Sequence, residues 1–394
     1  MDEVMAVSGT ADLQARLGRL EIYLRDDADN LNLLGESADL ALQLGKFADA
    51  RARAERALTL APGDPGFRFR LASICIAERR LDEAEKILGA LREGGVDLAI
   101  VSYNLAYTYV LQGRHGDAIA VLGEALGQSG CPSEAETLLM RALHGAGRVD
   151  EALEVARKRL EAAPEDGQAM GVASLLYLDK GDLSEAERLS AGALRKEPAN
   201  MEALVTSGSV ALAKADRDTA QRRFERAIVV NSRDGRAWSG LALTSMFSLD
   251  LPRSLAEFRK AVSYMPDHIG TWHALAWCQI LMKDLAGAAA TFERALSMNR
   301  NFAESHGGRA VVAALQGRTQ VARESVAVAL RLDPNCLSAR YAEAILSGSI
   351  RDAASFQRFA EGLLKGRRTA TGGDMRGMLA RFQRTTGRNK PPPR

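Results

Sequence analysis

Aromatic residues are scarce in this sequence of 394 residues, where Phe, Trp and Tyr together make up 5%. Sheet-based sandwiches depend on aromatic and β-branched side chains, so this scarcity and the many alanines favour closely packed helices. The hydrophobic content of 46% and the charged content of 26% exclude wholesale disorder. A formal net charge of only +2 argues against a dedicated nucleic-acid binder.

Features that would place the chain in an oxidising compartment or in a membrane are also missing. The four cysteines are far apart and show no metal-binding spacing, which predicts reduced thiols in a cytosolic protein. No apolar run approaches the ~18 residues of a membrane span, and the first ten residues lack the basic and apolar regions of a secretory signal. Arg outnumbers Lys 42 to 10, as in proteins of GC-rich bacteria. We therefore expect a bacterial, cytoplasmic protein.

Catalytic signatures are absent as well. The sequence contains no HExxH, GxSxG or GxxxxGK[ST] motif and no GxGxxG after a strand. The five histidines have no acidic or cysteine partners at metal-ligand spacing. We expect a protein that is not an enzyme and that holds no metal and no cofactor.

A period of 34 residues dominates what is present. Two further columns of mostly small residues, starting at Ala38 and Ala57, keep the same step, and prolines mark many unit ends, as at Pro62 and Pro266. Such a period indicates a tandem array of helical pairs, because one pair cannot bury its apolar face alone. The main column consists of Ala50, Ala84, Ala118, Ala152, Ala186, Ala220, Ser254, Ala288 and Ala322.

The details of two units resemble the tetratricopeptide repeat (TPR) family, whose signature is W-x2-L-G-x2-Y, then A-x3-F, then proline. The resemblance covers about residues 30–334, although Met140 and Arg159 depart from the small-residue columns. It implies an all-α fold, a right-handed α-solenoid of helix-turn-helix TPR repeats, about nine plus a degenerate capping repeat. The matching residues are Trp238, Leu241, Ala242, Phe258, Ala261 and Pro266 in the seventh unit, and Trp272, Leu275, Ala276, Ala288, Phe292 and Ala295 in the eighth.

Elementary chain physics predicts how each unit is built. Two amphipathic helices, as over 101–112 and 116–126, are separated by a turn in which glycine supplies a left-handed conformation. Aspartate before the second helix can cap its free N–H groups. The turn glycines are Gly45, Gly113, Gly147, Gly181 and Gly317, and the capping aspartates include Asp82, Asp182 and Asp284.

The two ends of the chain differ from the array. We expect an N-terminal capping helix within residues 1–29, nine tandem repeats over 30–334 and a degenerate tenth repeat over 335–364, with helices over 337–346 and 353–364. Residues 365–394 form a basic tail with nine Lys+Arg and one acidic residue, which favours disorder.

The tail has three readings. It is an unstructured terminus, a docking segment for an acidic partner or for the array itself, or an element that binds nucleic acid or an anionic membrane surface. Asp374 could cap a short helix there. The candidate tail residues are Arg367, Arg368, Arg376, Met378, Arg381, Phe382 and Arg384.

The resemblance also implies a binding surface, because in this family the first helix of each repeat lines a concave groove. Two readings stay open for its apolar side chains, which either pack against the next repeat or face a partner; Trp277 is the strongest candidate for an exposed anchor. Only Asn104 matches the carboxylate-clamp pattern that grips acidic C-terminal peptides. The candidate residues are Tyr103, Tyr107, Leu175, Leu178, Leu243, Met246, Phe247, His273, Trp277 and Ile280.

These observations predict a non-enzymatic scaffold or adaptor. An apolar groove would suit an extended peptide or an amphipathic helix of a partner protein. By family analogy the process is a bacterial assembly or secretion process, and an oligomer is possible. The alternative is binding of nucleic acid or an anionic membrane surface through the basic tail, with nucleic acid the less favoured ligand.

Overall fold

The computed structural model describes residues 2–96, 99–350, 355 and 358–359, with side chains from Thr10 onward. Within these residues it contains twenty helices and no strand. The helices belong to two compact units, Met1–Ala162 and Ala163–Arg394. No helix in the described part of the chain combines the length and the apolar character that a bilayer span requires.

Counted over the described residues, the first unit contains nine helices and the second unit contains eleven. In the first unit they are α1 (Asp2–Asp26), α2 (Leu31–Gln43), α3 (Phe47–Leu60), α4 (Pro65–Ala77), α5 (Leu81–Glu93), α6 (Ala99–Leu111), α7 (His115–Ala125), α8 (Ala135–Gly145) and α9 (Val149–Ala162). In the second unit they are α10 (Gly167–Asp179), α11 (Leu183–Lys196), α12 (Met201–Ala213), α13 (Arg217–Val230), α14 (Gly235–Phe247), α15 (Leu251–Tyr264), α16 (Ile269–Leu281), α17 (Leu285–Met298), α18 (Ala303–Leu315), α19 (Thr319–Leu332) and α20 (Leu337–Leu346).

The helices form successive pairs. In each pair the first helix packs on the second, as α2 does on α3 and α10 on α11, and the second then packs on the next first helix of the same unit. The all-α fold of helix-turn-helix repeats is confirmed. Helix α20 has the bounds expected for the first helix of a tenth repeat, whereas most of the second helix expected over 353–364 lies outside the described residues. Helix α1 extends over Asp2–Asp26, whereas the amphipathic leucine pattern that indicated the N-terminal cap covers only residues 11–26.

The small-residue columns form the contacts between helices. Every alanine of the main column is fully buried, as Ala50 and Ala186 illustrate, and so is Ser254. Larger side chains fill the space that the alanines leave. Phe224, Phe258 and Phe292 are fully buried and stand one repeat apart on α13, α15 and α17. Burying such a side chain stabilises the fold by about 1.5–3 kcal/mol.

Polar side chains cap the helices in the same register. Most first helices begin after a residue whose side chain accepts a hydrogen bond from the N–H three residues later, as Asp64 does from Phe67 at 2.9 Å. The second helices of the second unit use Asp182 and Asp284 in the same way. The prediction for Asp82 was wrong: it lies within the first turn of α5, after Arg80, and its carboxylate accepts from Gln112 at 3.1 Å.

Glycine occupies the left-handed position between the two helices of several repeats, as predicted. Gly113 has a φ of 76° and Gly317 a φ of 73°. Four repeats instead place a residue with a side chain in this conformation, at φ of 62–63°. They are Arg79, Ala215, Leu249 and Lys283.

A recurring hydrogen bond closes the joint between consecutive repeats. Trp238 Nε1 donates to the Ser232 carbonyl at 2.8 Å, and Trp272 Nε1 donates to the Pro266 carbonyl at 2.8 Å. In each case a side chain near the start of a first helix reaches the carbonyl six residues before it. Arg340, one of the residues at the same repeat position, makes this bond to the Pro334 carbonyl at 3.1 Å.

Candidate partner-binding surface

The first helix of each pair presents the side chains that the sequence singled out, and the structure divides them by exposure. Leu175 and Leu178 on α10 are only 7% and 5% exposed. They pack in one cluster with Leu204 and Val205 of α12. For these two leucines the packed-core reading describes the structure, and they offer almost no surface to a partner.

The two tyrosines on α6 differ from each other. Tyr103 is half-buried and packs against the core of the first unit, and burial and the charge of Glu134 raise the pKa of its phenol. Tyr107, one turn further along the helix, is 38% exposed. Between them Asn104 donates through Nδ2 to the Ile100 carbonyl at 2.9 Å, a bond within its own helix.

Helix α14 carries three of the candidates, all of them half-buried. Leu243 and Phe247 contact the cluster around Phe224, and Leu243 and Met246 contact the cluster around Phe258. These side chains therefore fill the joints between repeats and leave part of their surface to solvent.

Trp277 on α16 lies between neighbouring repeats. Its ring stands edge-on to Phe292 with centroids 6.5 Å apart, and it lies tilted against Tyr341 of α20 at 6.1 Å. Ile280, one turn later, packs together with Trp277 against two clusters of buried side chains. Trp277 is therefore a half-buried residue supported by two aromatic rings, and not a fully exposed anchor.

His273 precedes Trp277 by one turn and lies among aromatic side chains. Its ring meets Phe292 and Phe302 edge-on at 5.4 and 5.2 Å, and its Nε2 lies 2.7 Å from Ser305 Oγ. Burial lowers the pKa of the imidazole from its usual value near 6.5 to about 4, although the Glu304 carboxylate opposes the shift. The ring is therefore neutral near pH 7 and has a structural role. No group of three His, Cys, Asp or Glu side chains suited to a metal occurs in the described residues.

Apolar side chains that are exposed or half-buried recur at the C-terminal ends of the first helices in the second unit. Phe247, Leu281 and Leu315 stand one repeat apart at the last residues of α14, α16 and α18. Leu281 is 52% and Leu315 is 41% exposed. We call this set, together with the exposed Leu249 and Met282, the apolar edge. The sequence contained a signal for Leu315, because it continues the column of Phe247 and Leu281.

The candidate residues of the basic tail, from Arg367 to Arg384, lie outside the described residues. Their roles stay predictions.

Comparison with known proteins agrees with the repeat pattern. One family model described as tetratricopeptide repeat matches residues 41–99, and another of the same description matches residues 103–167 and 282–335. No curated protein sequence matches this chain.

Among solved structures, a tetratricopeptide repeat protein from Parabacteroides merdae is similar, with 19% identity and a TM-score of 0.42, over 63% of this chain and 98% of its own. The PilF protein of Pseudomonas aeruginosa is similar with 17% identity and a TM-score of 0.45, over 54% of this chain and 96% of its own.

Proposed function

Because the chain belongs to the tetratricopeptide repeat family, whose repeats generally mediate protein–protein interaction, we propose that it is a non-enzymatic adaptor. In this proposal a segment of a partner protein binds on the first helices of the second unit, chiefly α14, α16 and α18. The process, the bacterial origin and the cytoplasmic location stay predictions from the sequence.

The apolar edge is the observation that supports this proposal. A single exposed leucine is ordinary, but large apolar side chains that recur one repeat apart are not, and contiguous apolar surface is typical of interaction sites. The exposed Leu281 and Leu315 and the half-buried Phe247 offer such a row at the ends of three successive first helices.

Half-buried residues of the same first helices add a rigid apolar surface to this row. Trp277 is held by Phe292 and Tyr341, and Met246 and Ile280 are partly enclosed in the core clusters. Aromatic residues that are already fixed lose little side-chain entropy when a partner binds, and so they are favoured as interface anchors. An amphipathic helix or an extended apolar segment can contact both the exposed row and these rigid, half-buried side chains.

The test introduces charge into the apolar edge. We expect Leu281→Glu with Leu315→Glu to weaken partner binding at least about tenfold, because two carboxylates would have to be buried in an apolar contact. The matched control is Leu60→Glu with Leu332→Glu, which adds the same charge at leucines that are 41% and 39% exposed at the ends of the second helices α3 and α19.

Partners are identified by quantitative affinity purification with the wild-type protein, and their affinities are then measured by titration calorimetry. A partner of the proposed kind is lost with the Leu281→Glu/Leu315→Glu variant and kept with the Leu60→Glu/Leu332→Glu control. Partners that bind the Leu281→Glu/Leu315→Glu variant with unchanged affinity would rule out the apolar edge as the binding surface.

A further inference from the structure

The opposite helices of the same repeats form a second unusual surface. Arg226, Lys260 and Arg294 occupy the same repeat position on α13, α15 and α17, and all three are exposed. We call these three residues the cationic ridge. Further arginines lie near the ridge on the same helices. They are Arg222, Arg223 and Arg259.

Nearby acidic side chains do not neutralise this ridge. Beyond their first turns, α13, α15 and α17 contain only Glu225, Glu257 and Glu293 as acids. Each of the three is held by another group: Glu225 and Glu257 by Arg253, at 3.0 and 2.8 Å, and Glu293 by Arg309 at 3.3 Å.

As a result, the positive charge of these helices stays available. Within the part of the chain that the structure describes, none of the six basic residues on and near the ridge forms an ion pair. The contacts that three of them make are with neutral groups: Arg222 donates to Thr219 Oγ1, Arg294 donates to Ser297 Oγ, and Lys260 lies over the Trp238 ring.

Two of the three ridge side chains, Lys260 and Arg294, lie over tryptophan rings. Lys260 Nζ lies 4.0 Å from the centroid of the Trp238 ring, and Arg294 Cζ lies 5.9 Å from that of Trp272. Each indole is itself fixed by the hydrogen bond that closes its repeat joint. Cation–π contacts of this kind restrict the cationic side chains, so less entropy is lost when an anion binds them.

Exposed apolar side chains end two of the three ridge helices, α13 and α15. Val229 is 85% exposed and is followed by the exposed Val230 on α13, and Tyr264 is exposed at the end of α15. A nucleic-acid backbone supplies phosphates and has no need of aliphatic contacts beside them. A peptide can supply carboxylates and apolar side chains together.

We propose that the cationic ridge with Val229, Val230 and Tyr264 is a docking site for an acidic protein segment that carries apolar residues. The charge complementarity comes from the unpaired cations, and the apolar side chains distinguish a peptide from other polyanions. This site lies on the second helices and is independent of the partner proposed for the first helices. The chain would then hold two protein segments at once.

The probe for this site is a fluorescein-labelled synthetic peptide in which glutamate alternates with valine and serine. Its binding to the protein is measured by fluorescence anisotropy. Two analogues separate the contributions: one replaces each glutamate by glutamine, and the other replaces each valine by serine. Single-stranded oligothymidylate and phosphatidylserine vesicles serve as the competing classes of polyanion.

The variants are Arg226→Glu/Lys260→Glu and, to spare the Trp238 contact, Arg226→Glu/Arg259→Glu. The matched control, Arg195→Glu/Arg323→Glu, changes the net charge equally at exposed arginines of α11 and α19. Circular dichroism confirms that each variant is folded.

We expect both ridge variants to weaken peptide binding about tenfold or more, and the control to change it less than about twofold. Both peptide analogues are expected to bind more weakly than the probe. An equal loss in the control, no binding of the probe, or tighter binding of oligothymidylate or vesicles with the same dependence on the ridge would overturn the proposal.

Discussion

At the scale of the residue, backbone conformation separates two kinds of inter-helix turn. Gly113 and Gly317 adopt positive φ at no steric cost, whereas Arg79, Leu249 and Lys283 adopt it with a Cβ that crowds the backbone. Since the chain must turn at this point in every repeat, the fold keeps the conformation even where the residue disfavours it. These turns therefore carry a local strain that glycine would relieve.

Lys283 offers a clean test of this strain, because its side chain is exposed at the turn between α16 and α17. We expect Lys283→Gly to raise the free energy of unfolding by about 0.5–1 kcal/mol, the relief of the left-handed conformation less the entropy that glycine adds to the unfolded chain. Urea unfolding followed by circular dichroism measures it. Gly317→Ala is the reciprocal control and is expected to lower stability by about 1 kcal/mol. A Lys283→Gly variant less stable than wild type would contradict the strain.

At the scale of the element, the sequence predicted the helices well because their determinants recur. Small residues, turn glycines and capping side chains repeat every 34 residues, so an irregularity in one repeat is outweighed by the others. The bounds of α20 illustrate this, since they follow from the column positions alone.

Exposure was harder to predict, because repeat position alone does not set it. Leu175 and Leu243 share a position, but Leu175 is enclosed by Leu204 and Val205 while Leu243 is only half-buried. The difference depends on side chains about thirty residues away. The exposure of Trp277 was equally hard to predict from its repeat position. The rings that pack against it, Phe292 and Tyr341, belong to α17 and α20.

The capping of α20 also depends on a distant residue. Cys336 precedes the helix without a side-chain cap, and Glu304 of α18 takes over that role. Its carboxylate accepts from the backbone N–H groups of Leu337 at 2.7 Å and Ser338 at 3.2 Å. A negative charge at a helix N-terminus is favourable, so Glu304 both caps α20 and fastens it to α18.

We expect Glu304→Ala to lower the free energy of local opening of α20 by about 1.5–3 kcal/mol, the range for hydrogen bonds to a charged group. Hydrogen exchange with mass spectrometry is the measurement, and faster exchange should be confined to the last described helix. Glu324→Ala, at an exposed position on α19, is the control. Unchanged protection of α20 in Glu304→Ala would show that packing alone holds this helix.

At the scale of the whole molecule, partly buried histidines link stability to pH. Burial is the largest cause that lowers the pKa of His115 in the first unit and of His273 in the second. A histidine whose pKa is lowered in the folded state binds fewer protons there than in the unfolded chain. The contribution of each such histidine to the free energy of unfolding is therefore fully present above its unfolded pKa near 6.5. It is lost progressively as the pH falls below that value.

For His273, whose pKa falls to about 4, the loss between pH 7 and pH 5.5 is about 1 kcal/mol. Carboxylates stay largely ionised over this range and contribute little. Urea unfolding at the two pH values measures the difference, and His273→Gln is expected to remove its share. An equal pH dependence in His273→Gln and wild type would show that the ring is not held neutral by burial.

The hydrogen bond that closes several of the joints has a consequence for how such a chain can grow. Donor and acceptor are six residues apart, as in Trp238 with Ser232 and Trp272 with Pro266, so a joint is encoded in one short stretch. A tandem duplication of one 34-residue unit would bring its own joint, cap and small-residue column with it. New surface can therefore be added without redesign of the old, which makes gene duplication an accessible route to a longer repeat array.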